Sequence, residues 1–347
     1  MLKILESVAS EKLGYSYGKP LRVDKKSCAV VLPIVRETSL HRQYITFPET
    51  EQVHVFDTGS IDKMEADNQT AENVFIRSGT LFKGATQERA LQRSAVLFPG
   101  KKQTLYVRCV HMSKGIGGGT KVTYGGITPL DVDKGVYEHG YIPKDQQSFW
   151  NNVQSSNFKM AASMGKGFAS AAAPSGIIRA RSGNEEIPVG ASAFFSSFQM
   201  GSHPNLSDDL VGNFNEFSLH FESLLSKVKR ITNQVGLALI NQNGVETVEF
   251  FDHQLSWKAL HECAIKRLGS NIVDPGNASV FEYKPENAIR AVNEVLGMDY
   301  KTNRIYHHRP SNGEPEVEIT GLTAKEYVGE AVELNGSLVH LVLLKTN

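Results

Sequence analysis

Cys109 and His111 stand two residues apart at the end of "TLYVRCVH", and Arg108, Lys114 and Lys121 flank them within Leu105–Gly126. A thiol and an imidazole are the side chains of a nucleophile–base pair. Residues two apart in a strand share one face, so the spacing permits such a pair. It suits equally a half-buried strand in which the cysteine is a small apolar residue. Six glycines come next, between Gly115 and Gly126. "GIGGGTK" has neither the Walker spacing nor the Rossmann fingerprint, each of which opens a helix; here the β-forming Val122-Thr123-Tyr124 comes next. The glycines keep one capacity: consecutive backbone N–H groups can form a concavity for an anion, with Lys114 and Lys121 adding charge. A mobile surface loop is the alternative.

Other titratable residues are dispersed. No Cys or His pair has zinc-ligand spacing, so no metal and no cofactor is expected. His307-His308, before Arg309-Pro310, reads as a solvated loop. Asp208-Asp209 reads as a helix start, where carboxylates suit the dipole. No two carboxylates have a spacing that compels acid–base chemistry, so catalytic residues and enzymatic status stay open.

Lys+Arg and Asp+Glu both number 37, a formal net charge of zero, which argues against nucleic acid as a partner. The three cysteines, Cys28, Cys109 and Cys263, are too few and too odd for a disulfide framework. The N-terminal "MLKILESVASEKLGYSYGK" carries charges within its apolar stretch, unlike a signal peptide. No run approaches the ~20 apolar residues of a membrane helix, so a cytoplasmic protein without a membrane partner is expected.

The elements that must position these residues mix freely. Leu2, Ile4, Leu5, Val8 and Leu13 mark a short N-terminal helix. "CAVVLPIV", "QYITF" and "QVHVFDTG" read as strands, and "MEADNQTAEN" as a polar turn. "VFIRSGTLFKG", "ALQRSAVLFPGKKQ" and "TLYVRCVH" form a dense β region punctuated by glycine. Phe149, Trp150 and Val153 predict a helix, with Asp145 as N-cap. "GKGFASAAAPSG" reads as a linker and "GASAFFSSFQMG" as a strand. Leu210, Phe214, Phe217, Phe221, Leu224 and Val228 make one face of a long helix. Asn243-Gly244 and Asn335-Gly336 each predict a hairpin. Trp257, Leu260, Ala264 and Leu268 share a helical face, and Pro285 and Gly297 bound another helix. The prediction is α+β, mainly antiparallel sheet with several packed helices. Residues 1–64 would be an N-terminal extension packed on a core of 65–347, the core splitting into two lobes near 165–176.

Four ordered segments carry a resemblance: "SGTLFKGATQERALQRSAVLFPGKKQTLYVRCVH", "DQQSFWNNVQ", "VGLALINQNGVETVEFFDHQLSWKALHECAIKRL" and "VGEAVELNGSLVHLVLL". Together they resemble the bacterial family of ARG and Rhodanese-Phosphatase-superfamily-associated Protein domains, through Gly84, Gln87, Arg89, Cys109, Val110, Asp145, Gln146 and Trp150, then Phe251, Asp252, Leu255 and Trp257. The family carries Glu-Gln-Gly-Arg-Trp after Cys-Val, where this chain has His111-Met112-Ser113-Lys114-Gly115. The resemblance spans roughly Phe75 to the C-terminus and implies a role in NAD or ADP-ribose metabolism, in signalling or defence.

Two functional expectations result. In the first, a nucleotide-like small molecule of the ADP-ribose or NAD kind is bound or processed. Arg89 would grip phosphate bidentately, Gln87 would read a ribose or base edge, and the glycine stretch would close over the pyrophosphate. The ligand-binding candidates are Gln87, Arg89, Arg108, Cys109, His111, Lys114, Lys121, Asp145, Gln146 and Trp150. The plain alternative is that Gln87 and Arg89 tie down a β-turn. In the second, the chain is a non-enzymatic scaffold or interaction module. It would self-associate through Phe194, Phe195 and Phe198 or through the Phe-rich helix.

Overall fold

Val53, Val55 and Asp57 turn inward along one short strand while His54 and Phe56 lie less deeply buried, and this period of two builds a barrel wall. The computed structural model describes residues 14–23, 29–37, 41–84, 88–111, 118–138, 146–164, 179–182, 185–188, 209–272, 284–310 and 313–346. The chain opens with β1 (Tyr15–Tyr17), β2 (Leu21–Arg22), β3 (Val30–Arg36) and β4 (Ile45–Thr46). A run of strands comes after them: β5 (Val53–Thr58), β6 (Lys63–Asn68), β7 (Val74–Ile76), β8 (Thr80–Lys83), β9 (Arg89–Leu91), β10 (Ala95–Leu97), β11 (Lys101–Cys109) and β12 (Gly118–Ile127). Helices α1 (Leu130–Glu138) and α2 (Gln146–Ser163) precede a small hairpin of β13 (Arg179–Ser182) and β14 (Glu185–Pro188). Next come α3 (Leu210–His220), α4 (Glu222–Leu225), β15 (Gln234–Asn241), β16 (Gly244–Phe251), α5 (Gln254–Arg267), α6 (Gly269–Ile272) and α7 (Pro285–Leu296). The chain closes with β17 (Lys301–His308), β18 (Val317–Thr323), β19 (Tyr327–Leu334) and β20 (Ser337–Lys345).

Six strands close the barrel in the order β11-β6-β5-β12-β8-β9. Val55, Met64, Phe82, Leu91, Leu105 and Val107 fill it. A large sheet runs β1-β3-β15-β16-β20-β19-β18-β17, with β2 beside β3. Its neighbouring strands pair antiparallel; β4 and β7, in a small sheet with β10, pair parallel. Phe250 and Phe251 show how the large sheet is covered twice. Phe250 clusters with Ala288, Val292 and Val295 of α7, and Phe251 with Trp257 and Leu260 of α5 and with barrel-side residues such as Phe75. The fold is α+β with mainly antiparallel sheet, as the sequence predicts.

The layer between barrel and sheet is not wholly apolar. Arg77, after β7, pairs with Asp133 of α1 at 2.8 Å and with Glu249 of β16. Arg267 of α5 reaches the same two carboxylates at 3.0 and 3.1 Å, and His340 of β20 approaches Glu249 at 3.2 Å. Beside them Glu330 of β19 accepts from Ser78 and Ser94, and Ser78 bonds to Tyr137. Burial alone would push the Glu249 carboxyl up, but the two guanidiniums overcome it and hold the group well below the usual carboxylate range.

Strand β3 lies within the large sheet on β15. Several local expectations need correction. Strand β6 runs across residue 64 as a barrel strand. "MEADNQ" is therefore largely strand, because Met64, Ala66 and Asn68 face inward while the polar residues between them face out. The long Phe-rich helix breaks at Phe221, whose backbone leaves helical geometry. Gly118–Gly126 lies in strand β12, held by β5 and β8, so most of the expected glycine loop is ladder. His307 and His308 end strand β17 and lie 2.9 and 2.8 Å from Glu316 and Glu314. The expected N-terminal helix, the lobe boundary at 165–176 and the strand carrying Phe194, Phe195 and Phe198 lie outside the described residues.

Candidate functional site

Strand β11 ends at Cys109, and side chains from α2 hold that end in place. Gln146, the first residue of α2, donates to the Cys109 carbonyl at 2.8 Å and accepts from the Cys109 N–H at 3.3 Å. Trp150, one turn further, donates its indole N–H to the same carbonyl at 3.0 Å. Residues four apart on a helix share a face, so this pair pins α2 to the strand end. The Cys109 thiol donates to the His111 carbonyl at 2.7 Å, away from the imidazole. Burial pushes the thiol pKa up, the opposite of what a nucleophilic cysteine needs. Cys109 and His111 thus do not meet as a nucleophile–base pair in this structure: the thiol turns to a backbone carbonyl and the imidazole to Glu88.

The imidazole finds its partner across the ladder. Arg89 lies opposite Cys109, and the Val110 N–H donates to the Glu88 carbonyl at 3.2 Å, which carries the β9–β11 pairing one step past the strands. Glu88 therefore reaches His111, whose Nε2 hydrogen-bonds its carboxylate. Asp209 completes the group at the start of α3. It caps that helix by accepting from the Gly212 N–H at 2.8 Å, and its Oδ1 lies 3.8 Å from His111 Nε2. His111 is fully buried, whereas the Asp209 side chain is 37% exposed and opens the group to solvent. One donor atom from each of Glu88, His111 and Asp209 lies within 4.8 Å of the others. Asp209 does begin a helix, as its sequence predicts, but nothing in the sequence couples it to residues 88 and 111.

The remaining candidates divide. Arg89 is fully buried; it pairs with Asp57 and donates to the Ser60 carbonyl, both at 3.3 Å, so it fastens the β5–β6 turn to β9. Arg108 turns the other way and lies over the Phe149 ring at 5.8 Å. Lys121 is exposed on β12, whose first residue, Gly118, lies against the Gly59 turn. Gln87, Lys114 and Asp145 lie outside the described residues. The Phe-rich face expected of a scaffold is spent on the core: Phe214 and Phe217 are buried. Among the described residues no helix is long and apolar enough to cross a membrane.

A family model described as the ARG and Rhodanese-Phosphatase-superfamily-associated Protein domain matches residues 14–344. The chain belongs to this family. No curated protein and no solved structure matches it. The family match runs 61 residues N-terminal of the resemblance that begins at Phe75 (75 − 14 = 61), so the family domain includes β1–β6. Its Gln146 and Trp150 act on backbone, as the clamp on Cys109.

Asp252, another family-matching residue, sits in a second polar cluster below α5. Tyr44 donates to its carboxylate at 2.7 Å, Ser256 donates to Tyr44 at 3.0 Å, and Arg36 donates to the Asp252 carbonyl at 3.0 Å. Burial raises the carboxyl from 3.8 to about 6, with the Tyr44 bond and Arg36 opposing it. The folded state thus holds a proton that the unfolded chain has already lost. The stability this contributes is complete below pH 3.8 and is lost as pH rises through about 6. The loss amounts to about 3 kcal/mol at most, at roughly 1.4 kcal/mol per pH unit. Asp252→Asn should flatten the fall in urea midpoint between pH 4.5 and 7. An unchanged slope would remove Asp252 as its source.

Proposed function

We propose that the chain binds, and through His111 processes, a nucleotide of the ADP-ribose or NAD kind at this end of the barrel. The placing of His111 carries the reading. It is a buried imidazole oriented by Glu88, with a half-exposed carboxylate, Asp209, beside it. An imidazole fixed by a carboxylate is suited to proton transfer, which cleavage of a glycosidic or phosphoanhydride bond requires. The family resemblance supports the ligand class, since it implies a role in NAD or ADP-ribose metabolism. With Arg89 paired to Asp57, the attraction for a pyrophosphate falls to Lys114 and Lys121.

Calorimetric titration with ADP-ribose, NAD and cyclic ADP-ribose tests the reading. At least one should bind more tightly than ~1 mM, which corresponds to ~4 kcal/mol; binding by none sinks it. Lys114→Ala with Lys121→Ala should weaken binding and flatten its salt dependence while the melting temperature stays nearly constant. A double variant that melts early yet binds normally would make the lysines structural.

A further inference from the structure

We propose that Glu88, His111 and Asp209 form a site for one divalent cation of the manganese or zinc class. These residues come from three distant parts of the chain: the start of β9, the end of β11 and the first turn of α3. Their donor atoms nonetheless fall within 4.8 Å of one another, in a group buried at His111 and Glu88 and open at Asp209. One imidazole nitrogen with two carboxylate oxygens is a donor set that suits Zn2+ and Mn2+. Ligands bound at ~2.1 Å lie ~3 Å apart, so closing the group on an ion needs shifts of about 1–2 Å. Glu88 and His111 sit closer than that spacing and would part to admit the ion.

Two carboxylates face one imidazole here, and a divalent cation would take one oxygen from each together with the Nε2 lone pair. On its solvent side, at Asp209, such a cation would have positions for water or for phosphate oxygens of an incoming ligand. The inference rests on the same site as the nucleotide reading and names what would meet the phosphates there; with Nε2 on a cation, His111 would hold the ion and proton transfer would fall to water on its open side.

The test uses Mn2+ alone, followed by electron paramagnetic resonance on the full chain without nucleotide. The wild type should bind one equivalent saturably, and Zn2+ should displace it. Glu88→Gln and Asp209→Asn should each weaken binding by at least about tenfold. Asn is as good an N-cap as Asp, so the second variant keeps the start of α3 and should keep its melting temperature. No saturable binding of Mn2+ or Zn2+, or binding that both variants leave intact, overturns the site. The two readings fail separately. A chain that binds Mn2+ but no ADP-ribose keeps the cation site and loses the nucleotide. A chain that binds ADP-ribose equally with and without EDTA, and no Mn2+, does the reverse.

Discussion

Arg77→Met should cost about 3–5 kcal/mol of stability at pH 7, because it breaks a buried ionic network from one side. Arg77 is fully buried, and its guanidinium serves Asp133 and Glu249 together. Its removal leaves two buried carboxylates with one guanidinium, that of Arg267, and the His340 imidazole beside Glu249. Arg267 already touches both, at 3.0 and 3.1 Å, and cannot supply a second charge. The network joins the segment after β7, helices α1 and α5 and strand β16, so the loss falls on the seam between barrel and sheet. The deficit should shrink in acid. The native carboxyl of Glu249 is held low by the arginines, so its contribution is present above the ordinary glutamate value of 4.5 and lost as pH falls. Urea melts at pH 7 and pH 3 measure both effects. A loss below about 1 kcal/mol at pH 7 would mean that the pairs are no better than surface ones.

Trp257→Ala should be comparably severe, at about 3–5 kcal/mol, for an unrelated reason. Trp257 is fully buried on α5, with its ring 6.4 Å from Phe251 and 5.8 Å from His261. Truncation opens a cavity where helix, sheet and barrel meet. Trp257→Phe should be much milder. The indole N–H has no acceptor among the described residues, so losing it forfeits no hydrogen bond. Thermal melts of both variants decide; equal losses would show that the indole's polar edge matters more than its volume.

Local chemistry was the legible part of this fold. Asn335 and Gly336 both take positive φ, 48° and 72°, as the Asn-Gly pair requires of a two-residue hairpin. Pro285 opens α7 and Gly297 caps it. Strand β6 was hidden because a barrel strand shows one face to solvent, and its outward Glu65 and Asp67 look like turn composition. Helix α1 was hidden by its brevity and by Gly135, although Thr128-Pro129 followed by Asp131 and Asp133 signals a helix start.

The site was half legible. The Cys109–His111 spacing pointed to the strand end where Glu88, His111 and Asp209 gather, but not to that grouping, since the strand ends between the two residues and each side chain takes a separate partner. Gln146 and Trp150 were visible through the family resemblance, but their role depends on where β11 stops. Glu88 and Asp209 lie 121 residues apart (209 − 88), and no local pattern brings them to one imidazole. Only the β9–β11 pairing and the packing of α3 do so.

Amide hydrogen exchange with and without saturating ADP-ribose, read along the whole chain, tests most directly whether a nucleotide sits at this end of the barrel. Slowed exchange is expected around Glu88 and Cys109–His111 and in the first turns of α2 and α3, with β17 and β18 unchanged. Protection that falls elsewhere, or no change while the ligand is bound, would contradict a nucleotide site at His111.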